Sequence, residues 1–128
     1  QKIGKQAILD GFINYEEVQK KMQRASIIVI PSIWKEPFGL VVAEAMSNGV
    51  AIVTSKVGGI PEVIKDNGII INNINETKIV NALLELLNNP EILIKYQKLS
   101  WNNFSHTSFS SASILDNYRD KIMFYSFR

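Results

Sequence analysis

Four consecutive branched aliphatic residues, Ile27-Ile28-Val29-Ile30, closed by Pro31, constrain the fold of this chain more than any other stretch. A run that is apolar at every position suits a strand covered on both faces, as in a parallel sheet sandwiched between helices. A second such run, Ala51-Ile52-Val53-Thr54, follows Asn48-Gly49, and between the two lies Leu40 to Met46, apolar nearly all round except for Glu44. The order strand, loop, helix, turn, strand describes a βαβ crossover. Such a unit places its ligand at the carboxyl ends of the strands beside the first turn of the helix, and that corner contains Ser32, Glu36, Phe38 and Gly39.

The remaining pattern extends this α/β reading. A short stretch from Gln6 to Leu9 before Asp10-Gly11 reads as a strand ending near Gly11. Asn14 can cap a helix with Glu16 and Glu17 in its first turn and Lys20, Lys21 and Arg24 in its last, as the helix dipole favours. Asn48-Gly49 ends the next helix, about 39–48, in the left-handed manner. Gly58-Gly59 permits a tight turn, Pro61 can sit at the first position of a short helix ending near Lys65, and Ile69-Ile70-Ile71 after Asp66-Asn67-Gly68 forms a further strand.

From Asn75 the periodicity is helical alone. Asn75 caps a helix ended by Asn88-Asn89, and Pro90 opens another. Residues Trp101 to Ser113 read as a loop anchored by Phe104 and Phe109, followed by a last helix from Ile114 to Tyr125. The expected architecture is one domain over 1–128: a Rossmann-like parallel sheet of about four strands with flanking helices in 1–72, and a helical tail in 75–128.

At 128 residues and 46% hydrophobic content the chain supports one true core. A formal charge of +2 without a basic cluster larger than Lys20-Lys21 and Arg24 lacks the electrostatic footprint of a nucleic-acid binder. Without cysteine there is no disulfide framework or thiolate metal site, which agrees with a cytoplasmic location. No apolar run approaches the roughly 18 residues that span a bilayer, and the amino end opens no signal peptide. The chain begins with Gln1, which reads as a piece of something longer.

The chemistry concentrates between Glu36 and Glu44. With a helix starting at Gly39, Glu36 lies in the loop at its mouth and Glu44 about a turn and a half inside. Amides of Phe38, Gly39 and Leu40 at the helix start can hold an anion such as phosphate, and Gly39 permits close approach of a ligand. Glu44, the one charge within 37–46, needs partners when buried, and a pair of ligand hydroxyls would supply them. Carboxylates that read hydroxyls beside a helix end that reads phosphate describe a nucleotide-sugar site. Blander readings stand beside these: a structural carboxylate for Glu44, a solvated charge for Glu36 or Lys56, a strand end for Ser32, a simple turn for Gly58-Gly59. His106 has no Asp, Cys or second His nearby with which to bind metal.

Taken together, Ala25 to Ser32, Glu36-Pro-Phe-Gly-Leu-Val-Val-Ala-Glu44-Ala-Met, Asn48 to Thr54, Val57-Gly-Gly-Ile-Pro-Glu62 and Asn67-Gly68-Ile resemble the donor-binding half of the retaining glycosyltransferases of family 4, which have the GT-B fold. The likeness is close over Gly11 to Ile71 and looser in the helices beyond.

The resemblance implies an E-x7-E motif in which Glu36 acts in the catalytic site on the donor sugar's hydroxyls and Glu44 binds the ribose. Phe38, Gly39 and Leu40 would offer amides to the sugar and diphosphate, and Gly11, Phe12 and Ile13 would lie near the base. It further implies a UDP- or GDP-sugar donor, no cofactor, no metal, and a glycan or lipid-linked acceptor, as in polysaccharide or lipopolysaccharide biosynthesis. The acceptor domain and a basic Gly-Arg segment with its Lys would lie outside this sequence. The parent protein can then sit on the inner membrane leaflet through that other domain, while this chain alone would bind donor without transferring it. An epimerase or phosphorylase relative on the same fold, or an inactive nucleotide-sugar-binding module, is the alternative.

Overall fold

The structure, a computed structural model, describes residues 7–35 and 37–104. Its elements in order are α1 (Tyr15–Arg24), β1 (Ile27–Ile30), α2 (Leu40–Ser47), β2 (Ala51–Ser55), α3 (Ile60–Ile64), β3 (Gly68–Ile71), α4 (Glu76–Asn88) and α5 (Pro90–Asn103). The three strands pair in the order β1-β2-β3, all parallel, with Ile28 opposite Ile52 and Val53 opposite Ile69.

The middle strand shows why apolar runs were needed. Every residue of β2 is buried, and because successive side chains point to opposite faces, the strand feeds two cores. Ile52 joins Val42, Ala45 and Met46 of α2 and Ile60 and Ile64 of α3. Ala51 and Val53 pack with Ile71, Ala82 and Leu86 beneath α4. Helices thus cover both faces, as the unbroken aliphatic runs require.

At its carboxyl end β2 turns polar without leaving the core. Thr54 is fully buried and donates its hydroxyl to the Ile30 carbonyl at 2.9 Å. The Ser55 hydroxyl donates to the Ser32 carbonyl. Both bonds tie the exit of β1, and so the loop that leads to α2, to the central strand.

Caps form where the side chains permit them. The Asn14 side chain accepts from Glu17 N–H, and Asn75 accepts from Lys78 N–H, each at 2.9 Å. Gly49, at φ +65°, turns the chain after α2 and lies against the Trp101 ring of α5.

Two expectations are corrected. The stretch ending near Gly11 forms no strand from Ala7 onward, so the sheet has three strands among the described residues where about four were expected. Ile8 and Leu9 are exposed and no described strand runs beside them, and a strand without a ladder partner has nothing to hold it. Second, α5 does not stop at Trp101 but continues to Asn103. The Asn- and Ser-rich composition suggested a loop there, yet those side chains are used: Ser100 donates to the Asn67 carbonyl at 3.3 Å and Asn103 to the Asn67 side-chain oxygen at 2.8 Å. Asn67 itself is buried, and its amide nitrogen finds no acceptor among the described residues. The expected helix at 114–125, with His106 and Phe109, lies outside the described residues. No described helix is long and apolar enough to cross a membrane.

Candidate functional site

The site is built around the start of α2, at the carboxyl end of β1. Gly39 is the cap residue and takes the left-handed conformation, φ 63° and ψ 46°. Its carbonyl accepts from Val42 N–H at 3.0 Å and Ala43 N–H at 3.1 Å. The amides of Leu40 and Val41 have no acceptor among the described residues, and no side chain caps this end. Two N–H groups backed by a helix dipole, with no acidic residue in the first turn, make a place suited to an anion.

Glycine is required at that corner twice over. A β-carbon on Gly39 would meet Ile60 Cγ1 at 3.1 Å, in a conformation that side chains already disfavour. Beneath the loop, Gly59 leaves room for the backbone of Pro37 and Phe38. The Gly-Gly pair is therefore more than a turn, because it seats the segment that leads into the amide pocket. Phe38, Leu40 and Val41 are exposed and form an apolar rim.

Glu44 lies four residues into α2, about 6 Å along the axis from Leu40. Side chains on a helix lean toward its amino end, so the carboxylate is directed back toward the mouth. Glu44 is half-buried and has no ion-pair partner among the described residues, where the ion pair found joins Lys21 and Asp10 at 3.1 Å. Its side-chain contact is instead with Tyr15, whose hydroxyl donates to Glu44 Oε1 at 3.4 Å. Its backbone carbonyl accepts from Ser47 Oγ at 2.7 Å and Asn48 Nδ2 at 2.8 Å, which closes the far end of α2.

Through Tyr15 the start of α1 reaches Glu44, and with it the adjoining segment Gly11 to Ile13. Gly11 is left-handed with open space around it, and Phe12 is 100% exposed. Phe38, Gly39, Leu40 and Glu44 share the start of α2, while Glu36 lies outside the described residues. Ser32 and Lys56 meet elsewhere, lining a cavity of about 240 Å³ at the strand ends with Ser55 and Asn73. Tyr15 carries no recognisable signal in the sequence, and Gly59 is marked there only as part of a turn and a family motif, because each acts through a partner distant along the chain.

Comparison with known proteins adds the following. The sequence model of the family described as glycosyl transferases group 1 matches residues 1–104. A glycosyltransferase of Methanocaldococcus jannaschii, itself uncharacterized, is 37% identical over 107 residues, covering 74% of this chain and 27% of that protein. The D-inositol 3-phosphate glycosyltransferase of Corynebacterium kroppenstedtii is 30% identical over 111 residues, covering 84% of this chain and 24% of the relative. Among solved structures, sucrose-phosphate synthase from Thermosynechococcus elongatus superposes with a TM-score of 0.68 at 25% identity, over 88% of this chain and 29% of that one. The chain thus spans about a quarter of the length of these relatives.

Proposed function

Since this chain belongs to the family of glycosyl transferases group 1, we propose that it binds the nucleotide-sugar donor of a retaining glycosyltransferase that acts on a glycan or lipid-linked acceptor. The observation that carries this reading is the juxtaposition at α2: among the described residues, two amides at the helix mouth have no acceptor, and a carboxylate one turn inside has no cationic partner. The amides of Leu40 and Val41, with Phe38 and Gly39 beside them, suit a diphosphate. Glu44 suits the ribose hydroxyls, since an ionised carboxylate only accepts hydrogen bonds and a diol only needs to donate them. Glu36 is assigned to the donor sugar and the segment Gly11 to Ile13 to the base. The leaving diphosphate would then be stabilised by protein donors without a divalent cation.

Titration calorimetry of the chain with UDP, GDP and their sugars tests this. Binding is expected to survive chelation of divalent metal and to weaken about tenfold or more in Glu44→Ala, the worth of one or two charge-assisted hydrogen bonds. Unchanged affinity in that variant would remove the ribose assignment. Glu36→Gln is expected to weaken a nucleotide sugar more than the bare nucleoside diphosphate, and equal effects on both would remove the sugar assignment.

A further inference from the structure

We propose that Tyr15 is a positioning residue for Glu44 and sets the preference of this site for a ribonucleotide over its deoxy counterpart. The inference rests on the donor-site reading above, in which Glu44 takes the ribose hydroxyls. Two contacts between α1 and α2 have the same sequence separation: Tyr15 with Glu44, and Gln19 with Asn48, where the Asn48 amide donates to Gln19 Oε1 at 3.3 Å. The second pair lies one turn beyond the first, Asn48 being the cap residue that follows α2, so at these contacts the two helices advance in the same direction and hold Tyr15 level with Glu44. The first turn of α1 is itself fixed by the Asn14 cap.

Packing does not explain a tyrosine at this position. The residue is 64% exposed, so its ring buries little, and its polar tip is the part that is used. At 3.4 Å the bond to Glu44 Oε1 is long for an O–H donor, and a ligand that orders the carboxylate would shorten it. A carboxylate has about four lone-pair sites. With one occupied by Tyr15, the remaining sites are directed together rather than swept about the soft terminal torsion of a glutamate. A cis-diol needs two acceptors at a fixed spacing, so it gains from this alignment, whereas a nucleotide lacking both hydroxyls does not.

The test is calorimetry on the full chain with UDP and 2′,3′-dideoxy-UDP, in the wild type, Tyr15→Phe, Glu44→Gln and the double variant. The wild type is expected to prefer UDP. Tyr15→Phe is expected to weaken UDP about threefold to tenfold, the range of one hydrogen bond, and to leave the dideoxy analogue unchanged. Glu44→Gln should abolish the preference, and adding Tyr15→Phe to it should change nothing further. Equal weakening of both ligands in Tyr15→Phe, or an unaltered preference there while Glu44→Gln abolishes it, overturns the role of Tyr15 alone. A preference that survives Glu44→Gln, or is missing from the wild type, overturns the donor-site reading itself.

Discussion

The carbonyl oxygen of Pro37 lies so close over Gly59 that a β-carbon there would stand 2.3 Å from it, with Phe38 N at 3.4 Å. Neither neighbour is a flexible side chain, so the loop leading into α2 must move to admit even one methyl group. Gly59→Ala is therefore expected to destabilise the fold by about 1–3 kcal/mol, the usual range for overpacking. Urea denaturation measures that loss. Nucleotide binding is expected to weaken as well, because the displaced backbone leads directly to the amide pocket; a variant that binds as the wild type does would separate Gly59 from the site.

The hydroxyl of Thr54 joins the end of β1 to the central strand from a fully buried position. Thr54→Val keeps the shape and removes the donor, leaving the Ile30 carbonyl with one partner fewer. A loss of about 1 kcal/mol in denaturant unfolding is expected. No loss would mean that the strand ladder alone satisfies that carbonyl.

The two asparagine caps allow a matched comparison. Asn14→Ala and Asn75→Ala each delete one side-chain acceptor at 2.9 Å from a backbone N–H. Each is expected to cost about 1 kcal/mol of stability. Asn14→Ala alone is expected to alter nucleotide affinity, since the helix it caps, α1, carries the Tyr15 contact with the Glu44 carboxylate. Calorimetry on both variants checks this, and equal affinities would break the proposed link between α1 and the donor site.

What could be read from the sequence was what local chemistry decides. Asn14, Asn75, Asn48-Gly49 and Pro90 set helix ends by groups within a few residues of one another, and the runs at 27–30 and 51–54 declared a sheet covered on both faces. Distant pairings were not legible. The helix runs on through Trp101 because Ser100 and Asn103 reach Asn67, and the stretch at 7–11 fails as a strand because no ladder partner lies beside it among the described residues. The start of α2 and its Glu44 could be located in advance because a βαβ unit puts its ligand corner there. The support lent by Tyr15 and Gly59 could not, since helix-to-helix register and loop-on-loop packing leave no periodic trace in a single sequence.

Tyr96 provides a readout of pH. Burial, then Glu85, then Asp66 hold its hydroxyl above the ordinary value of 10.0. A raised value in the folded state means that the native chain favours the protonated phenol. Below pH 10 both states carry the proton and the stabilisation is complete; as pH rises past that point the unfolded chain ionises first, and stability falls until the folded phenol ionises as well. Tyr96→Phe is expected to lose less stability than the wild type above about pH 10. Urea midpoints across the alkaline range measure it, and parallel curves would contradict the assignment.

Asn67 places a condition on the order in which the chain can mature. Its two oxygens are claimed by residues 33 and 36 positions further along. A nascent polypeptide therefore exposes the turn before β3 well before the donors for that turn have been synthesised. Until α5 has emerged, burying Asn67 would leave both oxygens without protein partners, a cost that favours keeping the turn hydrated. Burial of Asn67 with both oxygens bonded within the protein is thus tied to the presence of residues 100–103.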